Sequence, residues 1–188
     1  LALRIALLAL LALSFAKPVW ERKTVITMEE GSILHLIVID TSFSMQYGDW
    51  FERARADAIR IVADMAEADV AQLLVASNNL QVVTEPTSAR AELTGSLNAL
   101  QAGAGHLDFG VMMAGIDSLI RDQRQNIRIH VLSDFQTGGL PGRFADLVPR
   151  SRAGYLTELE LHPVSTAEDN VNLYVDTITR TPAGLEVG

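Results

Sequence analysis

Apolar residues run almost without a break from Ile33 to Ile39, between the polar cluster Glu29-Glu30-Gly31 and a loop that opens at Asp40. A strand covered on one face alternates apolar and polar positions. This one does not, so both its faces are predicted to be buried, as in a parallel sheet. Ile127 to Leu132 repeats the pattern and Val70 to Ala76 gives another strand. Leu80 to Thr84 follows the Asn78-Asn79 turn and ends before Pro86, as the antiparallel edge of a hairpin does. Helical spacing joins Phe51, Ala54, Ala58, Ile61, Val62 and Met65 into one stripe over 49–67, opened by Asp49 and Glu52 in a capping-box variant. Ala89 to Leu100 is moderately helical. Asp108 to Arg121 is more strongly so, with Val111, Met112, Gly115, Ile116 and Leu119 on one face. Arg143 to Val148 fits a short helix after Pro141-Gly142, and Tyr155 to Leu161 a further strand. Strands alternating with helices predict an α/β, Rossmann-like fold: a doubly wound, mainly parallel sheet with helices on both faces.

The two ends stand outside that alternation. Leu1 to Ala16 is nearly all Leu, Ala, Ile and Phe, broken by Arg4 and Ser14 and closed by Lys17-Pro18. A spanning helix needs about 20 residues, and the chain opens on Leu, so residues 1–17 are predicted as a transmembrane helix truncated at its start. A signal peptide cleaved after Ser14-Phe15-Ala16 is the alternative. Residues 18–32 then read as a linker and 33–165 as the main domain. The alternating stretch Asp169 to Thr179 follows a polar break at Ser165 to Asp169, so 166–188 is predicted as the start of a following β domain or an extra edge strand.

Composition narrows function more than fold. The chain of 188 residues suffices for one domain with a sizeable core. A net charge of −8, with lysine only at 17 and 23, leaves no footprint for nucleic acid and nothing lysine-rich to grip an anionic bilayer. Contact with the membrane is therefore assigned to the N-terminal helix alone. The absence of cysteine excludes disulfides and zinc-thiolate sites.

Chemistry concentrates at the C-terminal ends of the two apolar runs. Asp40-Thr41-Ser42-Phe43-Ser44 places a carboxylate and two hydroxyls at alternate positions, where they can converge on one point. A Mg²⁺-sized ion takes about six oxygens, keeps several waters and uses one or two protein carboxylates. Asp40, Ser42 and Ser44 would leave positions open to water or to a partner's carboxylate. The plainer alternative is that these residues make Asx and Ser/Thr turns and cap the next segment. Asp134 stands after the second run, at the strand edge where open α/β sheets bind ligands. It could equally be a turn former before Gly138-Gly139.

These residues resemble the metal-ion-dependent adhesion site of von Willebrand factor A domains, whose pattern is D-x-S-x-S, then a distant Thr, then a distant Asp. The resemblance implies that fold and a site for Mg²⁺, or Mn²⁺ or Ca²⁺, held by Asp40, Ser42, Ser44 and Asp134. It also implies a protein partner whose acidic side chain completes the coordination. The stretch Gly103 to Gly110 matches the loop that carries the family's Thr-Asp pair, but Leu107 stands in the Thr position and offers no oxygen. Cation affinity is thereby weakened or lost. His106 reads as an exposed loop residue and Asp108 as a helix N-cap. With a leucine-rich helix ahead of it, the chain is similar to BatA-type, aerotolerance-related bacterial membrane proteins. That similarity implies a cell-membrane location with the domain outside the cytoplasm. It also implies partners among other such membrane proteins or a MoxR-type ATPase system. Lys17, Arg22 and Lys23 sit on the side that the positive-inside rule would assign to the cytoplasm.

The expected function is a non-catalytic, cation-dependent interaction module. One alternative is a metal-free structural scaffold. Another is an enzyme resembling aspartyl phosphotransferases, in which a second Asp two residues after the nucleophile acts as acid and base. Here that position is Ser42, and no lysine follows Lys23 to meet phosphoryl charge. Walker, G-x-G-x-x-G and G-x-S-x-G motifs are absent. His35, His106, His130 and His162 are read as ordinary strand or loop residues.

Overall fold

The computed structural model describes residues 32–136, 149, 154–165, 177–181 and 184–187. Residues 1–17, the short helix expected over 143–148 and most of the tail lie outside them. Among the described residues no helix is long and apolar enough to cross a membrane.

Within that set the strands are β1 (Ile33–Asp40), β2 (Val70–Ala76), β3 (Leu80–Val82), β4 (Asn126–Ser133), β5 (Thr157–Pro163), β6 (Thr177–Thr181) and β7 (Gly184–Val187). They form one sheet in the order β3-β2-β1-β4-β5-β6-β7. The neighbours β2, β1, β4 and β5 run parallel, while β3, β6 and β7 each pair antiparallel with the strand before them. The β2–β3 hairpin has the antiparallel edge expected of it, and β6 and β7 extend the same sheet beyond β5. The helices are α1 (Trp50–Asp64), α2 (Arg90–Ala99) and α3 (Phe109–Ile120).

Strand alternation sorts the central run into two cores. Leu34, Leu36 and Val38 of β1 pack with Phe109, Met112, Met113, Ile116 and Ile120 of α3. Ile37 and Ile39 point the other way, onto Trp50, Phe51, Ala54, Ala58 and Val62 of α1 and Leu93 and Leu97 of α2. Helices therefore cover both faces, which is why β1 needs apolar residues at every position.

Two local expectations differ from the structure. The apolar face of α3 is rotated from the one predicted: Val111 is exposed, while Met113 and Ile120 are buried. Phe109 anchors the first turn in the core, and residues three, four, seven and eleven positions on share its face. Gly115 keeps its predicted inward place because a Cβ there would come within 2.9 Å of Leu80, so α3 lies close against β3. At α1 no capping box forms. Asp49 has φ −114 and ψ 18, outside the extended geometry of a side-chain cap, and makes no cap bond. Its carboxylate meets Arg53 at 2.9 Å instead, and Glu52 pairs with Arg55.

Candidate metal centre

Because β1 and β4 are parallel neighbours with Ile39 beside Leu132, their C-terminal ends put Asp40 next to Ser133. The Asp40 carboxylate is 1% exposed. Its Oδ1 accepts the Ser42 N–H at 2.7 Å, an Asx turn, and its Oδ2 accepts the Ser133 hydroxyl at 2.6 Å. Thr41 turns away, its hydroxyl donating to the Ala76 carbonyl at 3.2 Å. The Ser42 and Ser44 hydroxyls lie 3.1 Å apart. After them a 3₁₀ turn, Phe43–Gln46, is anchored by buried Met45.

A second loop closes over the first. The Gly103 N–H donates to the Thr41 carbonyl and the Phe43 N–H to the Gly105 carbonyl, each at 2.8 Å, and Gln46 Nε2 reaches the Gly103 carbonyl at 2.7 Å. Glycine at 105 is required by this approach, since a Cβ there would sit 2.8 Å from the Cβ of Ser77. The loop then delivers Leu107, 6% exposed, into the core beside Phe109 and Phe135. His106 is exposed. Asp108 caps α3, accepting the Val111 N–H at 3.0 Å.

The third loop follows β4. Phe135 takes φ 48, in the left-handed region that bulky residues avoid. Its ring stacks on Phe109 at 5.7 Å between centroids, and its N–H donates to the Ser133 hydroxyl oxygen at 3.1 Å. This turn leaves Asp134 on the wall of a cavity of about 420 Å³ whose lining includes Ser42, Ser44, Leu107 and Gln136. The structure thus brings Ser42, Ser44 and Asp134 to one cavity, with Asp40 bonded directly behind Ser42. Asp134 Oδ1 is 3.4 Å from the Ser133 hydroxyl, whose proton already goes to Asp40. Asp134 Oδ2 is buried with no hydrogen-bond partner among the described residues.

Burial pushes the Asp40 carboxyl above its ordinary range, hydrogen bonds from Ser133 and Ser42 pull it partly back, and the charge of Asp134 adds to the rise. Among the described residues no lysine or arginine lines the cavity. His106 is on the rim, but the two carboxylates and two hydroxyls of Asp40, Asp134, Ser42 and Ser44 make a hard oxygen donor set that fits a small divalent cation. Leu107 supplies no donor, as its sequence position implied. Ser133, not foreseen as part of the site, is its structural hinge. The only sequence signal for it was a hydroxyl immediately before Asp134 at a strand end.

Residues 35–136 match the von Willebrand factor type A domain, and the chain belongs to that family. No curated protein matches it. Among solved structures, it is similar to BatB, a conserved hypothetical protein from Bacteroides thetaiotaomicron. The two share 16% identity at a TM-score of 0.50 over 84% of this chain and 80% of that one. An aerotolerance-related membrane protein from Bacteroides fragilis is similar at 14% identity and a TM-score of 0.52, over 84% of this chain and 81% of that one. Proximal thread matrix protein 1 from the mussel byssus, solved with zinc in its MIDAS motif, shares 12% identity at a TM-score of 0.52. That match covers 70% of this chain and 36% of the mussel protein. At these identities the likeness is one of fold.

Proposed function

We propose that this domain is a membrane-tethered, non-catalytic module that recognises a protein partner through a divalent cation, Mg²⁺ in the first instance, held by Asp40, Ser42, Ser44 and Asp134. The observation that carries the reading is the buried Oδ2 of Asp134, without a partner among the described residues, on a cavity shared with Ser42 and Ser44. A buried carboxylate oxygen without a donor is costly, and a cation offsets that cost. The 3.1 Å between the two seryl hydroxyls is close to the ~2.9 Å edge of an octahedron with Mg²⁺–O bonds of 2.0–2.1 Å. An acidic side chain of the partner would fill a vacant position, and Phe43 and Tyr47, 65% and 67% exposed on the adjoining turn, would give it an apolar contact.

The non-catalytic part of the reading rests on Ser42 in the place of a second acidic residue and on the lack of a lysine or arginine among the described residues that line the cavity. Membrane tethering outside the cytoplasm, with other membrane proteins of this family or a MoxR-type ATPase system as partners, rests on Leu1 to Ala16 and on the resemblance that segment completes. A second reading, a metal-free scaffold, draws on Leu107, whose packing into the core puts carbon where the family pattern has a hydroxyl. A melting experiment separates the two. Mg²⁺ raises the melting temperature of an adhesion-type site, EDTA reverses the rise, and Asp40→Ala abolishes the response. A scaffold is indifferent to all three.

A further inference from the structure

Away from that cavity, polar side chains from adjacent strands stand in file across the sheet. Asp69, just before β2, accepts the Ile33 N–H at 2.9 Å and the Ala66 N–H at 3.1 Å, and faces His35 Nε2 at 3.3 Å. His35 and His130 stack with ring planes 3° apart, and His35 Nδ1 lies 3.0 Å from His130 Nε2. On the far side His130 Nδ1 is 3.1 Å from both Glu160 Oε2 and His162 Nε2, which are 3.7 Å from each other.

The Asp69 carboxylate fixes the tautomers of the two buried histidines next to it. A carboxylate only accepts, so His35 carries its proton on Nε2 toward Asp69, and its Nδ1 is a lone pair. His130 Nε2 must then donate to that lone pair. A neutral His130 is left with a bare Nδ1 aimed at Glu160 and His162. That gap is closed either by the Nε2–H tautomer of His162 donating to His130 Nδ1 or, with His162 Nε2 a lone pair, by a cation held among three electron-pair donors.

We propose that His130 Nδ1, Glu160 Oε2 and His162 Nε2 form a second metal site, for a transition-metal dication of the Zn²⁺ class, distinct from the oxygen donor set of Asp40 and Asp134. Tetrahedral zinc with bonds of about 2.0–2.1 Å has ligand edges of about 3.3 Å, and the three separations of 3.1, 3.1 and 3.7 Å straddle that value. Two imidazoles and one carboxylate suit zinc and not magnesium, and they leave the fourth position open to water. The Asp69–His35 pair is the outer shell that fixes the ring and tautomer of His130, and Arg128, 3.2 Å from Glu160 Oε1, orients the carboxylate. His162 and Glu160 are half-exposed, which gives an ion a way in, while His130 is buried.

The test is titration of the EDTA-stripped 188-residue chain, in mild detergent, with Zn²⁺ by calorimetry and with Co²⁺ by visible absorption. Wild type and Asp40→Ala each bind one equivalent of Zn²⁺ with the same affinity, and bound Co²⁺ shows the intense bands of tetrahedral coordination. His162→Ala and Glu160→Gln weaken binding by about 100-fold or more, and Asp69→Asn by about 10–100-fold, as loss of an outer-shell partner does. Circular dichroism confirms that each variant is folded, and Glu160→Gln, being isosteric, serves if His162→Ala is not. The proposal is overturned if Asp40→Ala loses the zinc, if both ligand variants bind like wild type, or if the wild-type chain binds none. In the last case a hydrogen bond closes the gap, with the Nε2–H of His162 donating to His130 Nδ1.

Discussion

The hydroxyl of Ser133 donates to Asp40 Oδ2 at 2.6 Å, joining the ends of two strands whose residues are 93 positions apart in sequence. Among the described residues, that bond and the one from the Ser42 N–H are the short hydrogen bonds of the Asp40 carboxylate. They hold it in place without removing the cost of its burial, which raises its pKa. The site is therefore built around a charge that no lysine or arginine among the described cavity-lining residues neutralises.

Asp40→Asn should stabilise the metal-free chain at neutral pH. For a carboxyl whose folded pKa is raised, the unfolded chain releases its proton first. Stability is then lost as pH rises from the ordinary carboxylate range through the higher folded value. The amide keeps the Ser42 bond through its oxygen and donates to the Ser133 oxygen through nitrogen. Calorimetry in EDTA should show a melting temperature higher by ~2–4 °C at pH 7, the shift that about 1 kcal/mol gives a chain of this size. The difference should shrink toward acid, and the variant should gain nothing from added Mg²⁺.

Leu107→Thr sets stability against affinity. The leucine packs with Phe109 and Phe135, so its truncation should cost about 1–3 kcal/mol in the metal-free chain. The new hydroxyl faces a cavity that already holds Ser42, Ser44 and Asp134, and should tighten Mg²⁺ binding by on the order of tenfold. Thermal melts in EDTA and a Mg²⁺ titration measure the two effects separately. Unchanged affinity would show that position 107 does not address the ion.

Leu1 to Ala16 leads to a prediction independent of the site. Expressed in bacteria, the chain should sediment with membranes and stay there through a high-salt wash, since an apolar anchor is not released by screening charge. A soluble form beginning near Lys17 would instead identify the segment as a cleaved signal. Protease added to spheroplasts should digest the part beyond Pro18 if the domain lies outside the cytoplasm.

Much of this architecture was legible because parallel strands buried on both faces write themselves as unbroken apolar runs, as Ile33 to Ile39 and Ile127 to Leu132 do. The D-x-S-x-S loop was legible because its donors are close in sequence. What lay hidden depended on register and on competition between partners. The β1–β4 register that sets Asp40 beside Ser133, and that lines up His35, His130 and Glu160, is settled by strand packing and leaves no periodic trace. The Asp49 cap failed because Arg53, one turn on, took its carboxylate, and the α3 face was misjudged because Phe109, at its very start, fixes the rotation.

The most direct test of the central claim is calorimetric titration of Mg²⁺ into the EDTA-stripped chain, wild type beside Asp40→Ala and Asp134→Asn. The account predicts one weak site in the wild type, with Kd on the order of 10⁻⁴ to 10⁻³ M given the donor missing at Leu107, and no measurable binding in either variant. Binding of equal strength in wild type and Asp40→Ala, or no binding in wild type and in Leu107→Thr alike, would contradict it.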